Sequence, residues 1–271
     1  MNIRYFLKCC IALPLLPIMY FQARAIKARF PILPEAEGDQ GSVPAHEQKR
    51  LRILAIGESS IAGVGVDTHE EGFTGTLAKE LSRLLQTTVD WKVYAKRGFT
   101  AKKVEENIVP QITENEEDVD LLVVGIGGND TFQLNRPKRW KKDMQALIAA
   151  LQEKFKGVPI VFIDLPPVRE LPAFTKIIKL ILGNLREMLA EELDRLVLNY
   201  KNTYYYPHSI TMSDWIERYQ VPNNGVSTFF SDGVHPSKLA YQVWATDVAR
   251  FMMAHPHINN TLRLISEKMK R

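Results

Sequence analysis

The chain has 271 residues, 45% of them hydrophobic and 24% charged. That is enough for one sizeable domain or two small ones, with a core that needs no disulfide or metal staple. The formal charge of +4 is local: residues 1–34 hold Arg4, Lys8, Arg24, Lys27 and Arg29 and no acidic residue, and subtracting those five leaves 30 basic against 31 acidic residues, which excludes a globally basic nucleic-acid surface.

The two cysteines, Cys9 and Cys10, are adjacent at the N-terminus, so neither an intradomain disulfide nor a Cys/His structural zinc site is available. An apolar run from Cys9 to Phe21 follows Arg4 and Lys8, and Ala23-Arg24-Ala25 gives a small-x-small pattern, the layout of a secretory signal. The run is short for a bilayer crossing, which takes roughly 20 residues. Pro14 and Pro17 interrupt it, and Lys27 and Arg29 after the candidate cleavage site oppose export. Residues 1–30 are therefore expected to be a signal or an uncleaved membrane anchor, with the choice and the orientation open. A helix buried in the fold is disfavoured by the prolines and basic flanks. Residues 31–50, with Pro31, Pro34, Gly38, Gly41 and Pro44, read as a linker.

The folded domain is expected over 51–256. Leu51 to Ile56 is a short buried strand stopping at Gly57. A helix follows over 72–86 with Phe73, Leu77, Leu81 and Leu84 on one face. Val89 to Ala95 is a second strand, Ala101 to Ile108 a short helix, and Leu121 to Ile126 a third strand, apolar throughout and so covered on both faces. Pro137 opens a helix with Gly157 beyond its end; Val158 to Leu165 is a fourth strand. A long helical pattern covers 174–198, a short fifth strand 203–206, and a closing helix 238–253, leaving 257–271 as a tail. Alternating strands and helices predict an α/β fold with three α/β/α layers and a mostly parallel, flavodoxin-like sheet of about five strands. Right-handed crossovers bring the C-terminal strand ends to one edge, where such sheets bind ligands.

Four loops reach that edge: Gly57-Glu58-Ser59-Ser60 through Gly65, Arg97-Gly98-Phe99, Gly127-Gly128-Asn129-Asp130, and Asp232-Gly233-Val234-His235-Pro236 before the last helix. On these residues the chain resembles the GDSL-type, or SGNH, hydrolases. Gly57-Glu58-Ser59 with Gly63 corresponds to the family's first block, Gly98 to the second, Gly127 to Asp130 to the third and Asp232 to Pro236 to the fifth, in the family's order across 51–254. Glu58 stands where the family usually has Asp, a position that supports the loop; the extra methylene leaves open whether the same hydrogen bond forms.

The resemblance implies a serine ester hydrolase with Ser59, Asp232 and His235 as catalytic residues. A serine hydroxyl needs a base to take its proton, imidazole titrates near neutral pH, and Asp232, one tight turn before His235, is placed to accept the other ring N–H. The implied oxyanion donors are the backbone N–H groups of Ser59 and Gly98 and the Asn129 side-chain amide. Singly, Ser59 reads as a helix cap, Asn129-Asp130 as a turn and Asp232-His235 as a helix start; their conjunction is what carries the reading. The glycine pattern fits neither a dinucleotide fold, a phosphate loop nor an α/β-hydrolase elbow. This chemistry requires no metal and no cofactor.

Part of 165–185 is expected to wall an acyl pocket, with Phe174 as the substrate-binding candidate, ordinary core packing being the alternative. The expected partner is a small-molecule acyl ester, lipids included, with no nucleic acid and with membrane attachment through the N-terminal segment, in the cell envelope. A deacetylase of envelope glycans and a non-catalytic membrane-tethered ligand-binding protein are the competing functions; the combined Ser59, Asn129, Asp232 and His235 count against the second.

Overall fold

The computed structural model describes residues 8, 10–29, 32–45, 50–113, 118–207, 211–220 and 226–268. Its sheet contains β1 (Gln40–Val43), β2 (Arg50–Gly57), β3 (Thr88–Ala95), β4 (Leu121–Gly125), β5 (Ile160–Phe162) and β6 (Thr203–Tyr205), in the order β1-β3-β2-β4-β5-β6. The five strands β2 to β6 are parallel, and their order β3-β2-β4-β5-β6 is the flavodoxin-like one. The sixth, β1, pairs antiparallel with β3. It lies inside the expected linker, where a Gly- and Pro-rich composition conceals a strand that needs only an edge to pair with.

Each face of the sheet carries its own core because strand side chains alternate. Leu51, Ile53 and Ala55 of β2 face α2 (Phe73–Leu85) and α8 (Lys238–Ala254), whereas Leu54 and Ile56 face α3 (Ala101–Asn107), α5 (Pro137–Lys154) and α6 (Lys176–Val197). All five residues of β4 are buried, as expected for a central parallel strand. Trp140 of α5 and Tyr241 of α8 are the largest fully buried side chains of the two layers.

Three further segments carry structure that the sequence pattern did not show. The first is the N-terminal run, whose α1 (Leu16–Arg29) packs on the domain: Met19 and Ile26 lie against Val168, Ile178 and Leu182, and the Thr175 hydroxyl donates to Gln22 Oε1 at 2.5 Å. The second is the expected tail, which contains α9 (Pro256–Lys268) with Ile258 and Leu262 buried in the core. The third is a helix the apolar pattern did not show, α7 (Met212–Tyr219), started by a capping box between Thr211 and Asp214.

The register fixes where the site forms. Gly57 at the end of β2 pairs with Ala95 of β3 and with Gly125 of β4. Three of the four candidate loops therefore leave the sheet at one level, side by side. Gly57 is required there, since a Cβ would sit 2.1 Å from the Gly125 carbonyl oxygen.

Candidate active site

The fourth loop is brought to the same edge by α8. The buried Tyr241 hydroxyl donates to the Val64 carbonyl at 2.8 Å, and the Ser231 hydroxyl lies 2.9 Å from the Gly65 carbonyl. The loop after β2 and the loop before α8 are thereby tied together across more than half the chain. Ser59, Asn129 and His235 line one cleft, together with Phe132, Leu165, Pro166 and Trp215.

Asp232 orients His235 by contacts within one turn. One carboxylate oxygen accepts the Val234 and His235 backbone N–H groups at 2.9 and 2.7 Å; the other lies 2.7 Å from His235 Nδ1. Burial by itself would raise the Asp232 carboxyl, but the hydrogen bonds from the His235 ring and backbone and from Val234, with the ring's charge, outweigh it and hold the group down at about 2. An ionised carboxylate at Nδ1 leaves Nε2 as the ring's basic nitrogen. No hydrogen bond joins Ser59 Oγ to His235 among the described residues, a common state of serine hydrolase sites without substrate.

Glu58 anchors the other side. It is buried, and its carboxylate accepts the Gly128 N–H at 2.6 Å, the Asn129 N–H at 2.8 Å and the Asn129 side-chain amide. Loss of hydration on burial raises its carboxyl to about 7 against the opposing pull of these bonds. The glutamate therefore does support the loop, across 70 residues of chain. Gly128 leaves it room, since a Cβ there would come within 2.8 Å of Glu58 Oε1. Next to it, Asp130 of the short helix α4 (Gly128–Phe132) is buried, accepts the Ala101 N–H at 2.9 Å and the Asn135 amide at 2.6 Å, and burial raises its carboxyl to about 6.

The implied oxyanion donors differ in their state. Neither the Ser59 nor the Gly98 backbone N–H meets an acceptor among the described residues, so both are available. Gly98 has the positive φ of +79° that favours glycine. The Asn129 amide is not idle: besides Glu58 it donates to the Phe99 carbonyl at 3.1 Å. That longer bond places the Gly98-Phe99 turn beside Asn129.

Phe174 does not line the cleft. It stands behind Phe132, which does, with ring centroids 5.6 Å apart in an edge-to-face contact. The expectation for Phe174 is corrected to this extent: the segment after β5 reaches the cleft through Leu165, Pro166 and Pro167, and α6 begins too late to present Phe174 to it. Composition also hid the brace supplied by residues 33–37. Glu35 accepts from the Arg97 N–H at 2.7 Å and pairs with Lys96 at 2.8 Å, and the Ala36 N–H donates to the Ala62 carbonyl at 2.9 Å. The supposed linker thus holds both the Gly98 turn and the Ser59 loop. Met212 and Trp215 of α7 line the cleft as well; the Thr211-x-x-Asp214 cap was the sequence signal that could have revealed them.

A serine, an aspartate-held histidine and unpaired backbone donors gathered at the C-terminal edge of a flavodoxin-like sheet are the parts of a serine hydrolase site. The comparisons agree with this class. Residues 55–243 match the GDSL-like lipase/acylhydrolase family, and the chain belongs to that family. No curated protein sequence matches it. Among solved structures, it is similar to the Clostridium thermocellum family 3 carbohydrate esterase, with 18% identity and a TM-score of 0.55 over 80% of this chain and 100% of that one. It is similar to TesA, with 18% identity and a TM-score of 0.52 over 79% and 99% of the two chains. For the lipase Lip_vut3 from a goat rumen metagenome the values are 20% and 0.52, over 74% and 96%. At these identities the likeness is one of fold.

Proposed function

We propose that the protein cleaves acyl esters through an acyl-enzyme on Ser59. In the first half-reaction Ser59 Oγ bonds to the acyl carbon while its proton passes to His235 Nε2. The bond to the alcohol oxygen then breaks, and the alcohol leaves with that proton. Water repeats the sequence on the acyl-enzyme and releases the acid and the free serine. The charge developing on the carbonyl oxygen is met by the Ser59 and Gly98 N–H groups and by the Asn129 amide as it releases Phe99.

The observation that carries this reading is the meeting of Ser59 and the Asp232-held His235 in one cleft, although 176 residues of sequence separate them. The cleft has about 60 Å³ of room, space for a few waters at roughly 10–15 Å³ each, which suits a short acyl group. A fluorophosphonate probe tests the nucleophile: mass spectrometry is expected to find the adduct on Ser59 and none in Ser59→Ala. A well-folded, unlabelled wild-type chain would instead support a non-catalytic binder.

The cell-envelope location belongs to the same proposal. Among the described residues no helix is long and apolar enough to cross a membrane. The packing of α1 on Val168, Ile178 and Leu182 supports an N-terminal segment that stays with the domain over one that is removed.

A further inference from the structure

The outer side of the N-terminal segment is apolar and uncovered. Ile11, Leu13, Ile18, Tyr20 and Phe21 are all exposed, Leu13 and Phe21 by about 70%. Met19 and Ile26 form the stripe that packs on the domain, whereas Ile18, Tyr20 and Phe21 stay exposed and Ile11 and Leu13 line the cleft beside α6. The surface next to the segment continues this character: Leu134 and Leu180, both exposed, border an apolar cleft of about 300 Å³ between residues 8–16 and α6. Of the other exposed large hydrophobics among the described residues, Phe132 belongs to the same neighbourhood and lines the Ser59 cleft. Large contiguous apolar surfaces on soluble domains mark contact with a partner or a membrane.

Charge decides between these two. Arg24 and Lys27 sit on α1, and Arg136 lines the apolar cleft; none has an acidic partner among the described residues. Lys8 lines that cleft too, paired with Glu187 at 3.5 Å. Residues 1–34 contain no acidic residue at all. Exposed Phe, Tyr, Ile and Leu flanked by unpaired Arg and Lys suit an anionic lipid interface, where apolar side chains enter the acyl boundary and cations meet the headgroups. A helix of 14 residues packed along one side on the protein is too short and too committed to span a bilayer.

We propose that α1, with the Leu134 and Leu180 surface beside it, is a docking face for an anionic lipid bilayer. The helix lies in the interfacial plane rather than crossing the membrane. Phe132 joins this face to the Ser59 cleft, so docking turns the cleft mouth toward the bilayer surface and toward esters presented there. That last step rests on the hydrolase reading above; the docking itself does not.

The test uses the full chain carrying Ser59→Ala in co-flotation with phosphatidylcholine vesicles, with and without phosphatidylglycerol, while wild type is assayed in parallel on a soluble short-chain ester. Flotation is expected with anionic vesicles and is expected to weaken with salt. Added to the Ser59→Ala chain, Ile18→Glu with Phe21→Glu is expected to abolish flotation; with Ser59 intact, the same pair is expected to leave soluble-ester hydrolysis and melting temperature unchanged. Arg24→Gln with Lys27→Gln is expected to reduce binding by about fivefold per charge. Equal flotation of all variants, or none by the Ser59→Ala chain with an unaltered docking face, would overturn the docking face while the soluble assay still reports on the hydrolase. A purified chain that has lost residues 1–29 would overturn it too, as would a dimer that Phe21→Glu converts to monomer, which would assign the face to a second copy.

Discussion

The two sides of the cleft hold their carboxylates by opposite means. Asp232 binds groups two and three residues away, and those contacts keep it ionised, its carboxyl drawn down to about 2. Glu58 binds groups 70 and 71 residues away, in a place so dry that its carboxyl rises to about 7 despite three hydrogen bonds. The first arrangement is made by a single turn and needs little from the rest of the fold. The second exists only once β2 and β4 have paired at Gly57 and Gly125. The histidine side is thus built for charge, and the asparagine side for position.

The largest effect expected from this contrast is on the charged side. Asp232→Asn keeps the shape of the turn but gives Nδ1 the wrong partner, and kcat is expected to fall by about 10⁴-fold, by analogy with the same change in a serine protease triad. Stability at neutral pH should fall as well, because a carboxyl depressed below its unfolded value contributes stability above about pH 3.8 that is lost as pH falls through 2. Steady-state kinetics with a soluble ester decides it. A loss of only a few-fold would mean that Asp232 merely shapes the loop.

On the positional side the expected loss is smaller. Asn129→Ala removes a donor to the oxyanion, and kcat is expected to drop by about 10²–10³-fold with little change in KM. A rise in KM alone would assign Asn129 to substrate binding. Because its amide also donates to Phe99, part of the donor's strength is spent before substrate arrives. Phe99 contributes a backbone carbonyl, so no side-chain change can release it.

How much of this could be read beforehand follows the same division. Ser59, Gly98, Asn129, Asp232 and His235 stand in loops that end strands or open a helix, and the alternation of apolar runs located those loops. The Asp232-to-His235 contact is local and was legible from spacing. Glu58 as a clamp on Gly128 and Asn129 was not, since nothing in either segment states that β2 and β4 are neighbours in register. The brace at residues 33–37 escaped because its contacts are backbone and ion-pair contacts that leave no apolar pattern. Phe174 stands one layer behind the cleft: an apolar pattern marks a residue as inward but does not say which inward residue is the last before the cavity.

Glu58→Gln sharpens the comparison through stability. With a folded carboxyl near 7 against an ordinary 4.5, Glu58 contributes stability that is complete below about pH 4.5 and lost as pH rises through 7. The swing is about 3 kcal/mol at 1.36 kcal/mol per unit. Denaturant midpoints from pH 4 to 8 should therefore decline with pH in wild type, and Glu58→Gln should remove the part of the decline above about pH 6. The part below belongs also to Asp130, raised to about 6. An unchanged slope would mean that Glu58 stays hydrated enough to ionise normally.

The smallest expected effect separates two rings that touch. Phe132 lines the cleft and Phe174 supports it from behind. Phe132→Ala enlarges the cleft and is expected to shift the optimum of a p-nitrophenyl ester series toward longer chains, by about tenfold in relative kcat/KM, the low end of what one methylene in an apolar pocket is worth. Phe174→Ala leaves Phe132 in place but unsupported, so its main cost should appear in melting temperature, with a weaker change in chain-length preference. Phe174 packs on the cluster that also receives Met19 and Ile26 of α1, so the same variant should loosen the N-terminal helix, read as faster amide exchange over residues 16–29. If Phe174→Ala moved the acyl preference more than Phe132→Ala, the order of the two rings along the path of the substrate would have to be reversed.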